Sequence, residues 1–145
     1  MNIKTVIDYL NKQQGYNLDS EYYTRISQWR DWWQGYHLPF HQFKEQGSDG
    51  AIRNRDMYTL KMAKKVCEDW ANLILNEKVS IKAGEYEPRL NEILEKNNFR
   101  VRANQLVEVA YALGTGAFVE YLSGDEVMID YIRADMIIPL AWDNG

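Results

Sequence analysis

The chain has 145 residues, 46% of them hydrophobic and 26% charged, with a net charge of −4, 3 Pro, 9 Gly and a single cysteine. That length suits one domain able to bury roughly 68–70% of its unfolded surface. The apolar content excludes disorder, and the composition excludes collagen-like or low-complexity chains.

No apolar run approaches the 18 or more residues of a membrane span, so no membrane partner is expected. The opening MNIKTVIDYLNKQQ alternates apolar and polar residues, which is not a secretory signal. Cys67 alone cannot form an internal disulfide, in keeping with a reducing cytoplasm. Lys and Arg nowhere cluster into the basic stripe that grips phosphates, which argues against tight sequence-specific DNA binding. The unusual quantity is 13% aromatic residues, with 5 Trp and 10 Tyr. A small acidic domain this rich in rings is either heavily packed or built to sit against a partner.

In chain order, Ile3, Val6, Ile7 and Leu10 follow helical spacing, with Gly15 as the stop. A second helix starts at Asn17 or Asp19 and ends at Gly35. Its stripe of Leu18, Tyr22, Ile26, Trp29 and Trp33 places Trp29 and Trp33 in the core. Trp32 lies about 100° off that stripe and is available to a neighbouring subunit. HLPFHQF reads as a short extended piece because Pro39 is excluded from a helix interior. Residues 44–55, containing EQGSDG, read as an exposed loop.

The strongest signal is a long helix near 57–77, with Leu60, Ala63, Cys67, Trp70 and Ile74 on one face and Val66, Ala71 and Leu73 beside them. Lys61, Lys64, Lys65, Glu68 and Asp69 lie toward solvent. VSIKAG then alternates as a short strand. Pro88 opens a fourth helix carrying Leu90, Ile93 and Leu94, and a fifth runs from Phe99 to Leu113, closed by Gly114. AFVEYL and EVMIDYI flank Ser123-Gly124-Asp125 as a hairpin, and MIIPLAW is a third extended run. The final Asp143-Asn144-Gly145 has hairpin-turn chemistry without a return strand, so the chain reads as the front piece of a longer protein. The expected fold class is α+β, a single domain over 1–145. It packs about five helices with a small, mostly antiparallel sheet that is incomplete at the C-terminus.

Few residues suggest chemistry. His37 and His41 are four apart, but Pro39 between them spoils a helical metal site, and they read as loop histidines. Cys67 sits in an apolar stripe with no neighbour to lower its pKa, so it reads as structural. Glu68-Asp69 points to solvent. Glu120 and Asp130 flank the predicted hairpin and could face each other, and like charges in that position invite a divalent ion. The alternative function is therefore a small metal-dependent nuclease using Glu120 and Asp130, with Glu68. Gly114-Thr115-Gly116 runs from helix to strand, the wrong direction for a phosphate loop. No metal, cofactor or catalytic residue is expected otherwise, and a generic interaction domain is a third reading.

Three segments, ISQWRDWWQGYHLPFHQF (26–43), LKMAKKVCEDWANLILNEKVSIKAG (60–84) and YIRADMIIPLAWDNG (131–145), resemble the N-terminal region of tailed-phage portal proteins. The resemblance is to the type found in siphophages and prophages of Gram-positive bacteria. MAKKVCEDWANLILNEKV is the most specific, being similar to that family's long-helix signature. The resemblance spans nearly the whole chain in order, but only the front part of the family's length. It implies a non-enzymatic part of a dodecameric ring at one capsid vertex, through which double-stranded DNA passes without sequence-specific binding. The implied partners are other portal subunits, the terminase large subunit, the head-tail connector, and capsid and scaffolding proteins. The implied location is the virion, with the host cytoplasm during assembly. The matched region is similar to the wing domain; stem and crown are absent, so this piece is not expected to translocate DNA alone. Trp32, Tyr23 and Tyr36 are the candidate subunit-contact residues.

Overall fold

The computed structural model describes residues 3–75 and 79–140. Helix α1 (Ile3–Gln14) ends at Gly15, and α2 (Ser20–Gln34) follows after a short link. The link is clamped by Asn11, whose carboxamide donates to Leu18 O (3.0 Å) and accepts from Leu18 N–H (2.8 Å). Of the two expected caps for α2, Asp19 serves: its carboxylate accepts from Glu21 N–H at 2.7 Å. Gly35 closes the helix at φ 86°, a left-handed conformation that glycine adopts without the Cβ penalty. In this cap Tyr36 N–H donates back to Asp31 O.

The next segment departs from expectation. HLPFHQF is extended only at its end, where Gln42 and Phe43 open a strand: Leu38–His41 form a single helical turn, α3, with Pro39 in its first positions, where the missing N–H costs nothing. Residues 44–55 are exposed almost throughout but do not form a loop. Strands β1 (Gln42–Gln46) and β2 (Ile52–Asp56) pair antiparallel, with Gln46 opposite Ile52 and Gln42 opposite Asp56. Only the tip is a turn, closed by Gly47 N–H to Ala51 O and Gly50 N–H to Gly47 O.

Helix α4 is Met62–Ile74, shorter than the expected 57–77. Lys61 is left-handed (φ 51°), and its N–H is taken by the Thr59 hydroxyl, so the helix cannot extend upstream into Met57–Leu60. Residues 76–77 of the expected helix lie outside the described residues. VSIKAG forms no strand over 79–83; among the described residues no strand pairs with it, and Val79 O instead accepts from the Arg100 guanidinium. Helices α5 (Glu87–Lys96, Pro88 in its first turn) and α6 (Phe99–Leu113, closed by Gly114) stand where the pattern placed them. Strands β3 (Gly116–Ser123) and β4 (Glu126–Arg133) form the expected hairpin about Gly124-Asp125. Over the described part of MIIPLAW no third strand forms: Met136 ends a 3-10 turn, and residues 137–140 join neither sheet, while Ala141 and Trp142 lie outside the described residues. The turn signal at 143–145, and with it the incomplete sheet edge, lies outside the described residues.

The fold is α+β, with two separate two-stranded antiparallel sheets and six α-helices among the described residues, α3 being the one that sequence reading missed. Its core joins distant parts of the chain: Ile7, Tyr23, Ile26, Val109, Leu113 and Ala134 pack together, flanked by Ile3, Leu18, Trp33 and Ile138. Helix α6 is shared, because its buried Leu106 lies against Gly116 of β3 and the helix packs on β4, where Ile129 is buried. Buried Asn97 stitches that side: it donates to Ile93 O and Val127 O and accepts from Ile129 N–H at 2.8 Å. No described helix is long and apolar enough to cross a membrane.

Candidate functional site

The sequence expects the apolar faces of α2 and α4 to be covered. Each is covered only in part. On α2, Tyr23 and Ile26 are buried, but Trp29 is 41% exposed, not in the core, and Trp32 is 40% exposed. On α4, only Ala71 is buried; Val66 and Trp70 are exposed, as is Met62 in the first turn. The two helices lie against each other and α6, and the uncovered rings line an open groove of about 460 Å³. Its walls are the three tryptophans of α2, Met62, Val66 and Cys67 of α4, and Tyr111 of α6.

Each wall is held in place. Trp33 is half-buried beside the core, and its indole Nε1 donates to Glu108 at 3.1 Å. Lys64 Nζ sits 5.4 Å from the centre of the same ring, a cation–π contact that holds a charged side chain along the groove. Trp70 stacks on Tyr111 at 6.1 Å with 18° between planes. Trp32 belongs to a ring cluster with His37, Phe40 and His41, at centroid distances of 5.1–5.5 Å. His41 is the hub of that cluster: it is buried, its Nδ1 accepts from His37 N–H at 2.8 Å, and Tyr36 stacks on it at 5.5 Å. The reading of both histidines as ordinary loop residues is therefore corrected for His41, which fastens α3 to the end of α2.

The three expected contact residues separate. Trp32 and Tyr36 are exposed and meet through His41, and the Tyr36 hydroxyl donates to Asp56 at 2.9 Å, tying the segment that follows α2 to β2. That hydrogen bond raises the Tyr36 pKa. Tyr23 is a correction: it is 7% exposed, packs edge-on to Tyr22 at 5.2 Å, and donates its hydroxyl to Ile137 O at 2.8 Å. Burial raises its pKa, and it is a core residue unavailable to a neighbour. Tyr111 and Met62 complete the groove and were missed, because their positions were read only against a single apolar stripe per helix. The signal that would have found them is the excess of rings over what one stripe can hold.

Cys67 behaves as a structural thiol. Burial first, and the Glu108 charge second, push its pKa up, the reverse of an activated nucleophile. Glu68 and Asp69 point outward and pair with Lys64 (3.7 Å) and Lys65 (2.7 Å). Glu120 and Asp130 do not face each other. Glu120 stands opposite Ile129 and Asp130 opposite Val119, so the two carboxylates leave opposite faces of the ribbon. Asp130 already holds the Arg102 guanidinium at 3.0 Å. Among the described residues no group of three His, Cys, Asp or Glu side chains could hold a metal ion.

Compared with known proteins, the chain matches no family model, no curated protein and no solved structure.

Proposed function

We propose that this chain is a structural, non-enzymatic part of a tailed-phage portal protein, from its N-terminal wing region. It would work by contact with neighbouring polypeptide at the capsid vertex. In that role it contributes to a ring of portal subunits through which double-stranded DNA moves without sequence readout. The terminase large subunit, head-tail connector, capsid and scaffolding proteins dock around the ring.

The observation that carries this reading is the open aromatic groove. The residues that line it come chiefly from ISQWRDWWQ on α2 and MAKKVCEDW on α4, the parts of the chain that resemble the portal family. Contiguous exposed rings of this kind mark a surface meant for a partner. An acidic chain without a basic stripe suits contacts within a protein shell better than phosphate clamping. Electron microscopy of the protein purified from its complete reading frame tests the reading. Rings with a central channel are expected, and discrete monomers under assembly conditions overturn it.

A further inference from the structure

Immediately before the groove's α4 wall, the chain runs through a strap, residues 57–61, that packs on almost nothing. Tyr58 is fully exposed and Leu60 nearly so, with Met57 and Ile52 of the adjoining hairpin also exposed. The strap is held at both ends: Met57 N–H donates to His41 O at 2.7 Å, and Lys61 leads into α4, its carbonyl accepting from Lys65 N–H at 3.1 Å. It is thus a defined feature that presents apolar side chains outward. The hairpin it extends is a two-stranded ribbon whose β2 is exposed along its length, and such a ribbon is marginal in water without backing.

We propose that the strap and hairpin of one copy of this chain seat against the tryptophan groove of a second copy. The area is sufficient. With aromatic side chains offering about 150–250 Å² each, the exposed parts of the strap and of the groove present on the order of 500 Å² apiece. Together they match the apolar share of a standard interface of about 1,200–2,000 Å². A second copy is the occupant that supplies both halves, since the described residues present both a groove without a cover and a strap without a seat. This deepens the ring reading and rests on it for the partner being a copy, although the contact itself is testable apart from rings.

The test uses two variants of the chain that change only exposed side chains. One is Tyr58→Ser with Leu60→Ser, which blunts the strap; the other is Met62→Glu with Val66→Glu, which charges the groove. Circular dichroism checks that each folds. Sedimentation velocity should show self-association of the unaltered chain, weakened about tenfold or more in each variant alone. Mixing the two variants should restore a heterodimer, because the strap-blunted copy keeps its groove and the groove-charged copy keeps its strap. Cys67 lines the groove, so its alkylation should slow when the mixed pair forms. An unaltered chain that stays monomeric at every soluble concentration overturns the inference. Undiminished association of the strap variant overturns it too, since that means groove meets groove. Rings from the complete reading frame that survive both variants sink the contact but leave the ring reading standing. Restored heterodimers without any rings do the reverse.

Discussion

At the scale of single residues, burial and charge decide chemistry more than residue type does. Cys67 shows this: burial and the neighbouring Glu108 both disfavour the thiolate. A thiol with a raised folded-state pKa contributes stability that is fully present below its unfolded pKa of about 8.5 and is lost as pH climbs through the folded value. Iodoacetamide at pH 8.5 should therefore alkylate Cys67 more slowly in the dilute folded chain than in urea. Glu108→Gln, which keeps an acceptor for the Trp33 indole, should recover part of the rate. Equal rates in folded and unfolded chain would show the shift to be wrong. The half-buried setting that raises the thiol's pKa was legible in its apolar stripe. The fates of Tyr23 and Trp29 were not: helical spacing places both near the inner face of α2, and only the covering by Val109, Leu113 and residue 137 separates the buried tyrosine from the exposed tryptophan. His41 was illegible because its burial needs the Trp32 ring of α2 and the turn that folds the nearby Tyr36 and Phe40 rings around it, and neither shows in a linear pattern.

At the scale of elements, the segments with strong periodicity and caps were readable, and those held by tertiary contact were not. Helices α1, α2, α5 and α6 each carry a glycine, proline or asparagine signal at an end, and the β3–β4 hairpin has both alternation and a turn. The β1–β2 hairpin has the turn alone. Its strands, QFKEQ and IRNRD, lack the period-two pattern because neither face is buried against a core. They are joined by ladder bonds and by pairs such as Arg55–Glu45 (2.7 Å) and Arg53–Asp49. The α6–β3 junction offers a sharper test. At Gly116 a Cβ would stand 2.4 Å from Leu106 Cδ1, a buried side chain with little room to yield. Gly116→Ala should cost about 1–3 kcal/mol in urea unfolding. Adding Leu106→Val should return part of that loss, so the two changes are non-additive. A neutral Gly116→Ala would show that the sheet lies farther from α6 than these contacts require.

At the scale of the whole molecule, the core and the exposed aromatic surface are complementary facts. The core unites α1, α2, α6 and the turn at Ala134–Met136, and the Tyr23 hydroxyl reaches across 114 residues to Ile137, so these parts should unfold together. Helix α4 and the hairpin sit outside that union, which is why the helix with the clearest apolar face has only Ala71 buried. A pattern of apolar residues records that a face is covered in the working state of a protein; it does not record whether the cover belongs to the same chain. If the cover is a second copy, folding and association are linked by mass action. A tenfold rise in concentration above the dissociation constant then adds about 1.4 kcal/mol to the associated state. For a chain of this size that raises the unfolding midpoint by roughly 4–6 °C. Thermal unfolding followed by tryptophan fluorescence over a hundredfold concentration range should show this climb for the unaltered chain. Tyr58→Ser with Leu60→Ser should flatten it, because those side chains touch almost nothing within their own chain and removing them leaves the isolated fold's stability unchanged. A midpoint independent of concentration in both would mean that the groove stays open between copies, and that its tryptophans await some other cover.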